Sequence, residues 1–390
     1  MLLFFSLLQC TLSIIVKDLD MELEPYQYNN IVWFGFQPGG KISLRIELAI
    51  QDKQVHPTEI ISFYLCTPDD YKSLGDLNDK CKLIHYQKKG RNWMSYRKSI
   101  EEYKTYEFVL FSDFNETIHF KVSYEITNPG GEQLSTGVLE LKYMMPGFII
   151  AWGLLIIIWG LEWICTKRKK PTLVQALIIV NCVIWCLSTS IFNYYLYDFS
   201  EKGKSNPKLL TATRCVMYVC LISQFVLLEL ISDSISITKS SFSKATVLKL
   251  LGITLVYLTW CLLFELHHGG YIYYLLSGIY LLFMVLYMKD LRRILKELEA
   301  EMEKMIDENK DVIDSSIWHQ VRMFRMYSIS LLIFLAALAC ISGLYTYYRY
   351  IPWIGIGTQI YVIFIWILLL SLYFRFRISS PYSWADTNKT

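Results

Sequence analysis

The sequence predicts an α-helical membrane bundle of seven transmembrane helices behind an N-terminal antiparallel β-sandwich. Three observations lead there. Seven apolar runs of spanning length, or close to it, fill the chain from residue 143 onward. Residues 14–142 alternate apolar and polar side chains with period two. Of the 390 residues, 54% are hydrophobic and only 19% charged, below the quarter usual in soluble domains. The mean hydropathy of +0.32 fits a chain that is half membrane. A net charge of +3 lacks the basic excess of a nucleic-acid binder, so no nucleic-acid partner is expected. The composition also excludes a disordered acidic chain.

The first element is the apolar, uncharged stretch Met1–Val16. It is too short to cross about 30 Å of hydrocarbon, which takes roughly 20 residues. It reads as a signal peptide over residues 1–13, with Thr11 and Ser13 as the small residues at the cut. The other reading is an apolar first strand of the next domain.

Residues 14–142 form the predicted sandwich, placed in the secretory lumen by the signal peptide. Ile42, Leu44, Ile46, Leu48 and Ile50 share one face, as do Ile118, Phe120, Val122, Tyr124 and Ile126. Further strands are predicted at Ile31–Phe36, Ile60–Cys66, Tyr106–Phe111 and Val138–Tyr143. Pro38-Gly39-Gly40 and Asn128-Pro129-Gly130-Gly131 punctuate them. Six or seven short strands in this length suggest a small sandwich. Cys66 and Cys81 are its cysteines, and a pair in an oxidising compartment reads as a disulfide; two free thiols are the alternative. Asn115-Glu116-Thr117 is a sequon, making Asn115 a glycosylation candidate.

Residues 143–374 form the predicted helical domain. Its spans are Tyr143–Thr166, Pro171–Tyr197, Leu209–Ile231, Leu250–Phe264, Gly269–Met288, Met326–Tyr348 and Tyr350–Phe374. The fourth is the shortest, bracketed by Lys249 and Glu265, which can snorkel to the interfaces. Seven spans put the carboxyl terminus in the cytosol, and the cytosolic segments carry seventeen Lys and Arg against four in the lumenal loops. Between spans five and six, residues 289–325 form a cytosolic loop. Leu291, Ile294, Leu295, Leu298, Met302, Met305 and Ile306 recur there at helical spacing. The loop helix packs on its own bundle, lies at the membrane, or binds a partner. Residues 375–390 form a short cytosolic tail.

Charged and polar groups inside the spans are the candidate functional positions. Arg214, Gln224, Glu229 and Asp233 occur on or beside the third span, with Glu229 and Asp233 one turn apart. Lys170 and Arg325 are the basic loop residues within reach of that acidic pair. Interface charge is the plain reading; a conformational latch or ion path is the sharper one. Glu162 shares the ambiguity on the first span. Asn181, Gln224 and Gln359 are polar at mid-span depth and suit interhelical hydrogen bonds or a polar cavity. Glu265, His267 and His268 sit at the turn between spans four and five. They form either a solvated hairpin or a lumenal pH sensor, and the cluster lacks ligands enough for zinc. No metal, cofactor or catalytic signature is found: no nucleophile elbow, no His-Glu-x-x-His, no phosphate-binding glycine loop. A non-enzyme is expected.

Specific patches in the first domain carry a family resemblance. Phe34-Gly35-Phe36 precedes Gly39-Gly40. Later, Asn128, Gly130-Gly131, Leu134-Ser135-Thr136-Gly137 and Leu141 approach the first span. These patches, and the order of signal peptide, sandwich, seven spans and cytosolic tail, resemble the GOLD-domain seven-transmembrane family, the lung seven-transmembrane receptor-like proteins. The resemblance implies a Golgi or endosomal membrane protein in vesicle-mediated protein trafficking. Its partners would be membrane lipid, a lumenal cargo or ligand on the sandwich, and a cytosolic sorting or signalling protein at the third cytosolic loop and tail. A cell-surface orphan receptor and a channel or lipid carrier through the bundle are the alternative functions.

Overall fold

The computed structural model describes residues 15–23, 28–48, 61–67, 81–86, 93–112, 117–165, 173–204, 206–232, 244–266, 270–308, 316–347 and 352–375. Among these residues eight strands come first: β1 Ile15–Leu23, β2 Tyr28–Phe36, β3 Gly40–Leu48, β4 Ile61–Cys66, β5 Lys82–Tyr86, β6 Trp93–Ile100, β7 Lys104–Ser112 and β8 Ile118–Thr127. They pair antiparallel into two four-stranded sheets, β1-β8-β3-β6 and β2-β7-β4-β5. The alternation read from sequence sets the faces. Ile42, Leu44 and Ile46 of β3 and Phe120, Val122, Tyr124 and Ile126 of β8 are buried against Phe34, Phe36, Phe63 and Phe108 of the other sheet. Phe63 stacks on Phe108 with ring centroids 5.9 Å apart. The intervening Arg45 and Glu47 point outward and pair with each other. Burial pushes the Tyr124 hydroxyl up to about 12.

Sequence alternation missed β1, β5 and β6. All three are sheet edges, where a strand has only one paired neighbour and tolerates charge and brevity. Cys66 and Cys81 form the disulfide. It ties the end of β4 to the start of β5 and closes a loop of 15 residues, worth about 3 kcal/mol by chain entropy.

Among the described residues seven α-helices follow: α1 Thr136–Cys165, α2 Leu173–Lys202, α3 Pro207–Ser232, α4 Lys244–Leu266, α5 Gly270–Asp307, α6 Ser316–Tyr347 and α7 Pro352–Arg375. One expectation is overturned here. Val138–Tyr143 is not a strand but the first turns of α1, because Leu134, Val138, Leu141 and Met145 also repeat at helical spacing, and all four pack inward. The helix starts at the Ser135 carbonyl, which accepts the amides of Val138 and Leu139 at 2.8 Å.

Consecutive helices pack side by side, and α7 returns to α1 and α2, closing the bundle. Trp152 of α1 stacks on Trp185 of α2 and meets Phe364 of α7 edge-on. The outer faces are apolar too. Ile150, Leu154, Ile157 and Leu161 on α1, Leu251 and Leu255 on α4, and Ile329, Leu332 and Ile333 on α6 are all exposed. Such a belt is far larger than soluble monomers expose. Among the described residues, Val138–Leu161, Leu173–Lys202 and Pro207–Ile231 are long and apolar enough to cross a membrane; Thr246–Val256 and Ile360–Leu370 are shorter apolar stretches. These features make the chain a membrane protein.

The loop helix read from sequence is the continuation of α5. Its Leu291, Ile294 and Leu298 are buried against Val321 and Phe324 of α6. The hairpin therefore packs on itself, pinned by Arg325, whose Nη2 donates to Glu299 Oε1 at 2.7 Å.

Candidate functional site

Two clusters of charged side chains stand out among the described residues of the bundle, one at each end. The first joins the sandwich to the helices. After β8 the chain makes a 3-10 turn at Pro129–Gly131, with φ of +77° at Gly130 and +82° at Gly131, a conformation that favours glycine. The turn presents the buried side chain of Asn128 to β2. Its Oδ1 accepts the Gln37 amide at 2.7 Å, and its Nδ2 donates to the carbonyls of Leu134 at 2.8 Å and Gly35 at 3.2 Å. Gly35 completes the seat. Its amide donates to Ser135 Oγ at 3.0 Å. A Cβ there would lie 2.1 Å from Thr136 Oγ1, so no larger residue fits as the chain stands. The two patches that carry the family resemblance thus meet in space, through Asn128 and Gly35.

Directly below lies Lys142, whose side chain is only 11% exposed. Its Nζ donates to Glu132 Oε2 at 2.7 Å and to Ser200 Oγ of α2 at 2.6 Å. Ser200 Oγ in turn donates to Glu132 Oε1 at 2.5 Å. The ammonium also lies 4.9 Å from the centre of the Tyr197 ring, within cation–π range. Two residues after Tyr197, Phe199 of α2 is buried in the sandwich core beside Leu134 and Leu139. Sandwich, α1 and α2 therefore share both a polar knot and an apolar core.

The second cluster lies at the far end. Glu229 stands 22 residues into α3, about 33 Å along the helix. Its side chain is fully buried and forms an ion pair with Lys249 of α4. Lys249 Nζ also donates to Asp290 Oδ2 of α5 at 2.5 Å. Asp290 is reached from its other oxygen by Arg293 at 3.4 Å. Two cations and two carboxylates bind three helices together and cancel in charge. Burial at low dielectric makes such a pair costly to form and costlier to break singly.

The sequence expectations fare as follows. Glu229, one of the candidate acids, is buried and paired with Lys249 of α4, while Lys170 lies outside the described residues. Arg325 is taken by Glu299 instead, because the α5–α6 hairpin carries it away from α3. Asn181 is buried and accepts a hydrogen bond from Ser223 Oγ at 3.4 Å, linking α2 to α3. Gln224 is buried beside it in sequence, with Oε1 lacking a hydrogen bond among the described residues. Arg214 is half-buried near the start of α3. Glu162, Gln359 and Glu265 lie on α1, α7 and α4, with side chains outside the described residues. Asn115, Asp233, His267 and His268, together with residues 1–13 and 376–390, also lie outside them. Among the described residues no group of three His, Cys, Asp or Glu could hold a metal.

Sequence reasoning missed Lys142, Glu132, Ser200 and Asp290. The signal available was weak: Lys142 is the one cation in the first turns of an apolar helix, and Asp290 the one acid within a run of cations. No family model matches the chain, and no curated protein matches it.

Proposed function

We propose that the chain is a seven-span membrane protein of the secretory pathway that acts in Golgi and endosomal protein trafficking. In this reading the sandwich is lumenal and binds a cargo or lumenal partner, and the carboxyl terminus is cytosolic. The observation that carries the reading is the joint at Lys142. A sandwich tethered by a flexible linker would move independently of the bundle. Here Glu132, Lys142, Ser200 and Phe199 make sandwich, α1 and α2 one packed unit. Occupancy of the sandwich therefore bears directly on the helices, as a cargo receptor requires. The resemblance of the residues meeting at Asn128 and Gly35 to the GOLD-domain seven-transmembrane family supports the same assignment, and so does the excess of Lys and Arg in the segments read as cytosolic.

The test is localisation of a full-length copy tagged at the carboxyl terminus, with glycosidase digestion and protease protection on the same membranes. Golgi or endosomal residence, a processed glycan lost in Asn115→Gln, and a protease-accessible tag are expected. Surface residence would replace the trafficking role with that of a receptor for an extracellular ligand. A protected tag would overturn the topology.

A further inference from the structure

Charge is segregated along the α5–α6 hairpin. On α5, Val285 and Leu286 form an exposed apolar pair. Immediately beyond it Lys289, Arg292 and Lys296 are exposed, at i, i+3 and i+7 on one helical face. Across the hairpin Arg322 of α6 is exposed, one turn before the belt residue Met326 and two before Ile329. None of these four has an acidic partner among the described residues, whereas Arg293 is engaged by Asp290 and Glu297, and Arg325 by Glu299. Asp290, between Lys289 and Arg292, is half-buried and held by Lys249 and Arg293, and the exposed acids Glu297, Glu301 and Glu303 begin one residue beyond Lys296.

Distances decide what these cations face. A phospholipid headgroup layer is about 5–8 Å thick on each side of the hydrocarbon. At 1.5 Å per residue, Lys289 stands roughly 4.5 Å beyond Leu286, Arg292 roughly 9 Å and Lys296 roughly 15 Å. Side chains on a helix lean toward its N-terminus, which on α5 is toward the belt, and a long cationic side chain spans the rest. Of the exposed acids the nearest, Glu297, stands roughly 16.5 Å beyond Leu286, outside the headgroup layer, and an acid lacks the long stem that would carry it back. We infer that Lys289, Arg292 and Lys296 of α5, with Arg322 of α6, form a docking surface for the headgroups of anionic phospholipids on the membrane face opposite the sandwich. The inference rests on the bundle spanning a membrane. Each such cation near an anionic surface is worth roughly a fivefold gain in binding.

The experiment uses the full chain in neutral detergent, mixed with equal amounts of phosphatidylserine and phosphatidylcholine and read by native mass spectrometry. The wild type should retain phosphatidylserine preferentially, with a preference that falls as salt rises. K289Q/R292Q/K296Q/R322Q should lose that preference more than tenfold. K289R/K296R should keep it. A control removing four exposed sandwich lysines, K41Q/K98Q/K104Q/K121Q, should also keep it. If the fourfold variant does not fold, K289Q/R292Q serves in its place. Equal retention of both lipids by the wild type, an undiminished preference in the variant, or an equal loss in the sandwich control would overturn the inference. Displacement of the lipid by glycerophosphoserine at matched concentration would also overturn it, giving the surface to soluble anions. Alkaline carbonate extraction separates the two levels. Release of the wild-type chain from membranes would sink the spanning reading itself, whereas a retained chain without lipid preference would sink only the docking surface.

Discussion

Lys142 and Lys249 are the bridging lysines at opposite ends of one bundle, and they are held by different means. Among the described residues Lys142 has a single counter-ion, Glu132, and completes its shell with a hydroxyl and an aromatic face. Glu132 is itself satisfied twice more, by Ser200 Oγ and by the Leu134 amide at 3.2 Å. Lys249 instead stands between carboxylates on two other helices, one of them fully buried. The first joint is a hydrogen-bonded network whose members support each other when one is lost. The second hangs the buried Glu229 on the cation of Lys249, while Asp290 is shared with Arg293. A domain joint that must transmit force suits the first design, and a clamp that fixes helix positions suits the second.

The sharpest way to break this contrast is Lys249→Met. It leaves the Glu229 carboxylate buried without its counter-ion, at an expected cost of about 3–5 kcal/mol. The thermal midpoint of the detergent-solubilised chain should fall strongly, and adding Glu229→Gln should restore most of it. Failure of the second change to rescue would show that Glu229 is not the group Lys249 neutralises. Next comes Asn128→Ala in the seat above Lys142. Two buried backbone carbonyls and the half-buried Gln37 amide lose their partner, for about 3 kcal/mol, and protease sensitivity at the sandwich–α1 joint should rise while the bundle stays intact. Lys142→Met should cost less, about 2 kcal/mol, since Glu132 keeps its other two hydrogen bonds. A loss as large as that of Lys249→Met would erase the difference between the two ends.

The smallest effect belongs to the sandwich alone. Burial raises the Tyr124 hydroxyl to about 12, above its value in an unfolded chain. Between pH 10 and 12 the unfolded chain therefore gives up that proton first, so stability present below pH 10 is lost as pH rises toward 12. Tyr124→Phe should flatten this alkaline decline in sandwich unfolding, leaving the profile below pH 9 unchanged.

Much of the fold was legible in the residues. The alternation of β3 and β8 named their buried faces because those strands are central, each paired on both sides. The edge strands β1, β5 and β6 escaped, since an edge need not be apolar. Val138–Tyr143 was misread because Val138 and Leu141 satisfy helix spacing while Leu139 and Leu141 satisfy strand spacing. The long neighbouring apolar run, which continues the helix without a break, decides between them. The candidate site was half legible. Glu229 stood out as an acid in an apolar run, but its partner depended on which helix packs beside α3.

What the sequence by itself determined was therefore the local and one-dimensional part: a period-two domain with a cysteine pair, an apolar region of helical segments, and an amphipathic extension beyond the fifth. Each follows from which side chains must leave water, and neighbours along the chain report that directly. Tertiary structure alone decided the pairings. Gly35 meets Ser135 across one hundred residues, Lys142 meets Ser200, and Lys249 meets Glu229 and Asp290. A buried charge must find a counter-charge, but composition names only the need. The partner is chosen by the packing that brings distant helices within hydrogen-bond reach.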